Sequence, residues 1–497
     1  MTFSAFLSDH GISTLRVEHR VSQGKGSGLF ASTDLLPGTE VVSVPTTALL
    51  GSAAANQIAA RVAASGLCIN SDKERSERSE RAAIVSALLV LRFGGGVGVG
   101  VGTSGGFNGF AEYAAELPPP ESLDSPVFFN VKERALLVGT GLDVATDAKL
   151  GALQREYFAL RDDLMRFDPL YSEAMHLDED EELPLLNFEA FLWADAIFWS
   201  RVISFKSAAT DNTSDEKAPD YHMVPFIDFA NHSETPEMAW RLTPSGISLV
   251  ITSETTVKKG SELHISYGSK PNAELLFIHG FTIPNNKNDS IAFQPQIMEA
   301  FGETEEEFLI LQQKKELIQS LSLPSQLLLL PANTSLAPQS SSTSSANPIS
   351  QILSKFQHII SKDSLLLLLI SVTSPSDIPT TNFLTITSSS DALWDIYLSS
   401  QLFPILLLRA TSVLLSQVQE RAAELSQSEP EEETNEDDKD EEEEGEEVNP
   451  QRLYFINILR EGHYEILGAA LDVLEGLQKE YAEMDVVVRY LAEMSVE

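Results

Sequence analysis

The sequence predicts an α+β fold: a β-rich unit interrupted by a helical insert and followed by an all-α C-terminal domain. Three observations predict it. Short β-rich runs bounded by turn signals occur near the N-terminus and return between residues 221 and 283. Between those stretches apolar residues recur with helical spacing. Beyond about residue 295 the chain is rich in Leu and Glu at the same spacing. The predicted organisation is residues 1–292, with a β core at 16–50 and 195–285 and an insert at about 51–194. A helical domain occupies 293–497, with a disordered acidic loop at about 427–449.

In chain order, Phe3, Phe6, Leu7, Ile12 and Leu15 make residues 2–15 a short amphipathic segment. Residues 28–31 (GLFA) and 40–45 (EVVSVP) read as strands separated by the turn signal Leu36-Pro37-Gly38. Ala82, Val85, Leu88, Leu89 and Leu91, and later Phe188, Phe191, Leu192, Ala194, Ile197 and Phe198, fit a 3.6-residue period. Residues 247–251 (ISLVI) and 263–267 (LHISY) are the clearest later strands. Phe308, Leu309, Leu311 and Leu317, then Leu467, Leu471, Val473, Leu474 and Leu477, carry the helical pattern to the end. Low-complexity segments at 94–109 and 339–347 read as flexible insertions, since the glycine-dense one lacks the Lys-Ser/Thr of a phosphate loop.

The 497 residues carry 34 Lys+Arg against 73 Asp+Glu, a net charge of −39. Affinity for phosphate backbones needs clustered cations, so a nucleic-acid partner is not expected. The charge is uneven. Residues 429–447 hold fourteen acids and one Lys, residues 178–182 are five consecutive acids, and the remainder is near −21. The single cysteine, Cys68, allows neither an internal disulfide nor a cysteine-rich zinc site, which suits a cytoplasmic or nuclear protein. The apolar runs at 365–372 and 405–408 are far shorter than the roughly 18–20 residues of a membrane span, and the N-terminus lacks the pattern of a signal peptide. No membrane partner is expected, and the chain reads as a monomer.

Three clusters could carry chemistry. The closely spaced glycines of 24–31 (GKGSGLFA) suit either a tight turn or a backbone that approaches a ligand and donates N–H groups to it. The residues after these glycines are strand-like, so a dinucleotide-binding turn, which opens a helix, is not indicated. Residues 224–232 (VPFIDFANH) place Asp228, Asn231 and His232 in an apolar setting where each polar group needs a partner. His222, Asp228 and His232 match no standard zinc spacing, so no metal is expected. An Asn-His pair suits the edge of an adenine better. Residues 262–268 (ELHISYG) end a strand on Tyr267 before a glycine, which fits a core tyrosine at a turn or a hydroxyl aimed past the sheet edge.

Taken in order, these three clusters resemble the SET-domain protein methyltransferases, with a β-rich SET domain as the first unit. They are most similar to the subgroup typified by plant Rubisco large-subunit lysine methyltransferase, which also holds ribosomal-lysine and actin-histidine enzymes. Further similarities run through residues 113–120 (YAAELPPP), Phe128-Phe129, 139–142 (GTGL), 198–201 (FWSR), 272–281 (NAELLFIHGF) and 456–462 (INILREG). The lone cysteine agrees with a zinc-free branch of that superfamily. The resemblance implies methyl transfer from S-adenosylmethionine to a side-chain nitrogen of a protein. It assigns the cofactor to Lys25, Gly26, Ser27, Gly28, Leu29, Arg201, Asn231 and His232, the cofactor–substrate junction to Asp228, and the chemistry to Tyr267 as an orienting residue.

Some positions depart from the family pattern. His279 stands where many members carry a tyrosine, and Phe205 where the plant type carries an arginine. The resemblance puts Trp240 and His279 at the substrate pocket, where they could hold a cation by an aromatic face and a polar tip; a structural role for either is the alternative. A lysine target, on a ribosomal or other basic protein, is the first expectation; a histidine target, or a catalytically silent scaffold that binds partners, are the alternatives. A hydrolase is not expected, because the chain has no G-x-S-x-G elbow.

Overall fold

The computed structural model describes residues 2–22, 26–51, 54–55, 76–93, 110–165, 186–205, 220–295, 305–332, 348–374, 377, 389–427 and 447–494. The glycine-dense run at 94–109, the serine-rich run at 339–347, the five acids at 178–182 and nearly all of the acidic loop therefore lie outside the described residues, as does Cys68. The chain divides into two compact units: Met1–Phe128, Ala145–Lys270 and Phe277–Gly280 form one, and Phe129–Val144, Pro271–Leu276 and Phe281–Glu497 the other.

In the first unit the strands are β1 (Val17–Ser22), β2 (Gly26–Ala31), β3 (Glu40–Pro45), β4 (Leu50–Gly51), β5 (Ile203–Phe205), β6 (Asp220–Met223), β7 (Asn231–His232), β8 (Met238–Thr243), β9 (Gly246–Ile251) and β10 (Glu262–Ile265). They form three small sheets, ordered β1-β2-β10-β7, β3-β9-β8 and β4-β6-β5. β9 is buried at all six positions, which is why ISLVI reads as a continuous apolar run broken only by Ser248. Gly246 opens that strand because a Cβ there would sit 2.0 Å from the Val44 carbonyl oxygen. The predicted strands at 28–31, 40–45 and 247–251 are present. The one predicted at 263–267 ends at Ile265, so Tyr267 falls just beyond the ladder.

The helical insert is also observed. Helix Ser76–Phe93 buries Ile84, Val85, Leu88 and Leu89, and packs on helix Phe188–Arg201. The latter starts at Asn187, whose side chain accepts from the Ala190 N–H at 2.9 Å, a standard N-cap. Its inward face joins Phe191, Trp193, Ile197 and Phe198 to Leu29 and Ala31 of β2 and Leu263 and Ile265 of β10 in one apolar core. The end of this helix delivers Arg201 to the region of β7 and β10.

Among the described residues the second unit is helical apart from a two-stranded ladder, Ile291–Phe293 against Leu327–Leu329, which departs from the all-α expectation. Short apolar runs there fit strand and helix equally well, and only pairing decides. Helix Lys362–Val372 is buried at every position from Ser364 to Val372, which explains a leucine run with no helical period. Among the described residues no single helix is long and apolar enough to cross a membrane. Residues 272–279, expected among the strands, are helical: Asn272–Glu274 leads into a π-turn at Leu275–His279.

A buried ionic cluster sits behind helix Phe188–Arg201. Asp195, 1% exposed, faces the Arg81 Nε at 3.1 Å and the Lys149 Nζ at 3.1 Å, and Arg81 Nη1 also meets Glu156 at 2.7 Å. Removing the central anion leaves two cations poorly compensated. Asp195→Ala is expected to lower unfolding free energy by about 3–5 kcal/mol in urea titration; a loss under about 1 kcal/mol would contradict this account.

Candidate active site

β10 gathers the three sequence clusters. It pairs antiparallel with β2, Glu262 opposite Phe30 and Leu263 opposite Leu29, and parallel with β7, His264 opposite Asn231 and Ile265 opposite His232. Ser27, Gly28, Asn231, His232 and Glu262 are thereby brought onto adjacent strands. Asn231 Nδ2 donates to the Ser27 carbonyl at 3.1 Å and to Glu262 Oε1 at 2.7 Å. Gly26 is exposed with φ +72°, Ser27 is half-buried, and Leu29 is fully buried in the core. Only the backbone of Leu29 is therefore available to a ligand, and Lys25 lies outside the described residues.

Tyr267 lies two residues beyond β10. Its N–H donates to His232 Nδ1 at 3.0 Å, so that nitrogen is an acceptor and carries no proton. Burial lowers the His232 pKa, in keeping with a neutral ring. The Tyr267 hydroxyl donates to the Ala230 carbonyl at 2.9 Å, and burial raises its pKa above 10. The phenol is thus protonated at neutral pH, its proton is committed, and its oxygen can act as an acceptor. The π-turn brings the His279 ring to 4.6 Å from that of Tyr267, with His232 at 5.2 Å on the same tyrosine. Burial, with Lys270 adding to it, pushes His279 down to about 3, so it too is neutral. Trp240 is on β8, 37% exposed, and no hydrogen bond or ring contact among the described residues joins it to this cluster. Phe205 stacks on His222 with centroids 4.4 Å apart.

Asp228 occupies the 3₁₀ turn Ile227–Phe229, entered through Phe226 at φ +73°, a left-handed conformation costly for a bulky residue. Arg201 Nη1 donates to the Asp228 carbonyl oxygen, and its guanidinium lies 5.7 Å from the Phe229 ring. The buried Tyr113 hydroxyl donates to Asp228 Oδ2. Among the described residues no hydrogen bond reaches the buried Arg201 Nε or Asp228 Oδ1. One is a donor and the other an acceptor, and a ligand bearing both carboxylate and ammonium, as an amino acid does, supplies the complementary groups. That donor set fits the methionine end of S-adenosylmethionine. Among the described residues no group of three or more His, Cys, Asp or Glu is arranged to hold a metal ion.

The sequence alone assigns no role to Tyr113 or Glu262, although both fall inside its motifs. Tyr113 meets Asp228 across 115 residues, and Glu262 meets Asn231 across 31. Neither spacing carries a local signal. An acid flanking a buried strand is the only available hint for Glu262.

Residues 26–268 match the family model of the SET domain. The chain carries a SET domain. A ribosomal lysine N-methyltransferase, set10 of Schizosaccharomyces pombe, is 27% identical over 190 residues, covering 38% of this chain and 30% of the relative. The N-lysine methyltransferase setd6 of Salmo salar is 31% identical over 173 residues, covering 34% and 36%. The alignments thus span about a third of the length of these relatives. Two solved structures share the fold over 97% of this chain: Rubisco LSMT bound to AdoMet, with TM-score 0.62 at 18% identity over 93% of that chain, and the SET domain of LSMT bound to lysine and AdoHcy, with TM-score 0.61 at 17% identity over 92%. The resemblance to the Rubisco methyltransferase-like SET proteins is therefore borne out in sequence and in fold.

The titration of Asp228 gives a test of its setting. Burial dominates, opposed by Arg201 and by the Tyr113 hydrogen bond, and holds the carboxyl at about 6, above the ordinary 3.8. A carboxyl raised on folding contributes stability that is complete below about pH 4 and is lost as pH rises to about 6. Asp228→Asn keeps an acceptor for Tyr113 and removes the charge. Its unfolding free energy relative to wild type is expected to climb between about pH 4 and 6 and then level off, by at most about 3 kcal/mol. A difference independent of pH would contradict the assignment.

Proposed function

We propose that the chain is an S-adenosylmethionine-dependent protein-lysine N-methyltransferase. The observation that carries the reading is the Tyr267 hydroxyl, tied to the Ala230 carbonyl and flanked by two uncharged imidazoles. S-adenosylmethionine supplies the electrophilic methyl carbon when bound. A free lysine is ammonium at pH 7 in all but about one molecule in 10³, so the site must favour the neutral amine. The desolvation that keeps His232 and His279 uncharged acts on a lysine in the same sense.

Tyr267 accepts a hydrogen bond from the substrate nitrogen and so fixes the direction of its lone pair. It does not serve as the base, because its raised pKa leaves it protonated. Arg201 Nε and Asp228 Oδ1 face the charged end of the cofactor, and Asn231, with the backbone at Ser27 to Leu29, completes its site. Similarity to proteins named as lysine methyltransferases supports the same reading. The acidic balance of the chain further favours a basic protein substrate, a ribosomal protein among the candidates, met in the cytoplasm or nucleus.

Calorimetry with S-adenosylmethionine, followed by labelled-methyl transfer to a lysate and mass mapping of the modified residues, tests this. Tyr267→Phe is expected to bind the cofactor within about threefold of wild type and to lose at least about 10² in transfer rate. Wild-type transfer by this variant, or label found only on histidine, would contradict the proposal.

A further inference from the structure

We infer that Glu262 is a positioning residue that fixes the amide of Asn231 with its oxygen toward the cofactor, and that residue 28 is glycine so that the Glu262 carboxylate fits. This rests on the cofactor reading above. Asn231 Nδ2 is bound to the Ser27 carbonyl and to Glu262 Oε1, at 3.1 and 2.7 Å. Both partners are pure acceptors, so the amide can sit only with its nitrogen on that side. Its two N–H groups are used there. Among the described residues no hydrogen bond reaches Asn231 Oδ1, so the side chain presents an acceptor and selects a ligand that brings an N–H.

Glu262 supplies the shorter of the two anchoring bonds, and it is charge-assisted. A line of side chains runs on from the carboxylate. Its Oε2 lies 3.7 Å from His264 Nε2, and His264 Nδ1 and N–H both meet Glu237 Oε2 at 3.0 Å. On the other side there is no room to spare. A Cβ on Gly28 would fall 2.6 Å from Glu262 Oε1 and 3.0 Å from Asn231 Nδ2, close enough to displace both. The glycine in GSGLF is thus tied to a carboxylate on the strand that leads to the tyrosine, a constraint separate from any approach of the backbone to a ligand.

S-adenosylmethionine offers two N–H donors, the ammonium of its methionine end and the exocyclic amine of adenine. Calorimetry on the full chain with three probes separates them: S-adenosylhomocysteine carries both, S-inosylhomocysteine lacks the adenine amine, and 5′-methylthioadenosine lacks the amino-acid end. Glu262→Ala is expected to weaken S-adenosylhomocysteine about tenfold, while changing by less than twofold the probe that lacks the donor facing Asn231. Glu262→Gln, which keeps an acceptor oxygen, is expected within about threefold of wild type. Gly28→Ala is expected to match Glu262→Ala, with the double variant no weaker than either single one.

An equal loss on all three probes would assign Glu262 a merely structural role and overturn the inference. So would unchanged binding of S-adenosylhomocysteine. If Glu262→Ala does not fold, Gly28→Ala carries the same comparison. Failure of the wild type to bind any probe would instead overturn the cofactor reading, and this inference with it.

Discussion

The site depends on a four-residue strand, Glu262–Ile265, pairing on both edges. Its antiparallel edge holds the glycine strand, and its parallel edge holds Asn231 and His232. A parallel pairing of two residues contributes few backbone hydrogen bonds, so side chains reinforce it. Asn231 bridges to Glu262 and to the Ser27 carbonyl, and His232 accepts the backbone N–H of Tyr267. Leu263 and Ile265 bury the opposite face in the same core as helix Phe188–Arg201. The hydrophobic term fixes where the strand lies, and the polar bonds fix how its neighbours are aimed.

That arrangement carries local costs of the kind functional sites retain. Phe226 holds a positive φ, and among the described residues one oxygen of the buried Asp228 carboxyl and the buried Arg201 Nε meet no hydrogen-bond partner. Each is unfavourable in isolation. Together they leave complementary donors and acceptors next to a phenol whose proton is already engaged. Burial serves two ends here, raising the carboxyl and the phenol and lowering both imidazoles. The two imidazoles flanking Tyr267 are thus neutral, and burial together with the nearby charges of Arg201 and Lys270 disfavours an incoming ammonium.

Much of this is legible in the sequence because it is local. The strand patterns and the D-x-x-N-H and Y-G clusters are read within a few residues. Long-range partners are not. Nothing about Tyr113 announces Asp228, and nothing about Gly28 announces the Glu262 carboxylate that lies against it. The helical form of 272–279 escapes a sequence reading because Leu-Leu-Phe-Ile-His alternates no better as strand than as helix. Yet that π-turn is what brings His279 onto Tyr267. Trp240, which the resemblance places near a pocket aromatic, lies opposite Leu249 on the neighbouring strand β9.

The central claim is that three distant segments form one ligand-bearing unit through β10. Hydrogen exchange read by mass spectrometry, with and without S-adenosylhomocysteine, tests it most directly. The account predicts that peptides covering 26–31, 227–232 and 262–268 gain protection together on binding, while the buried helix at 362–372 is unchanged. Protection confined to one of the three segments would contradict it.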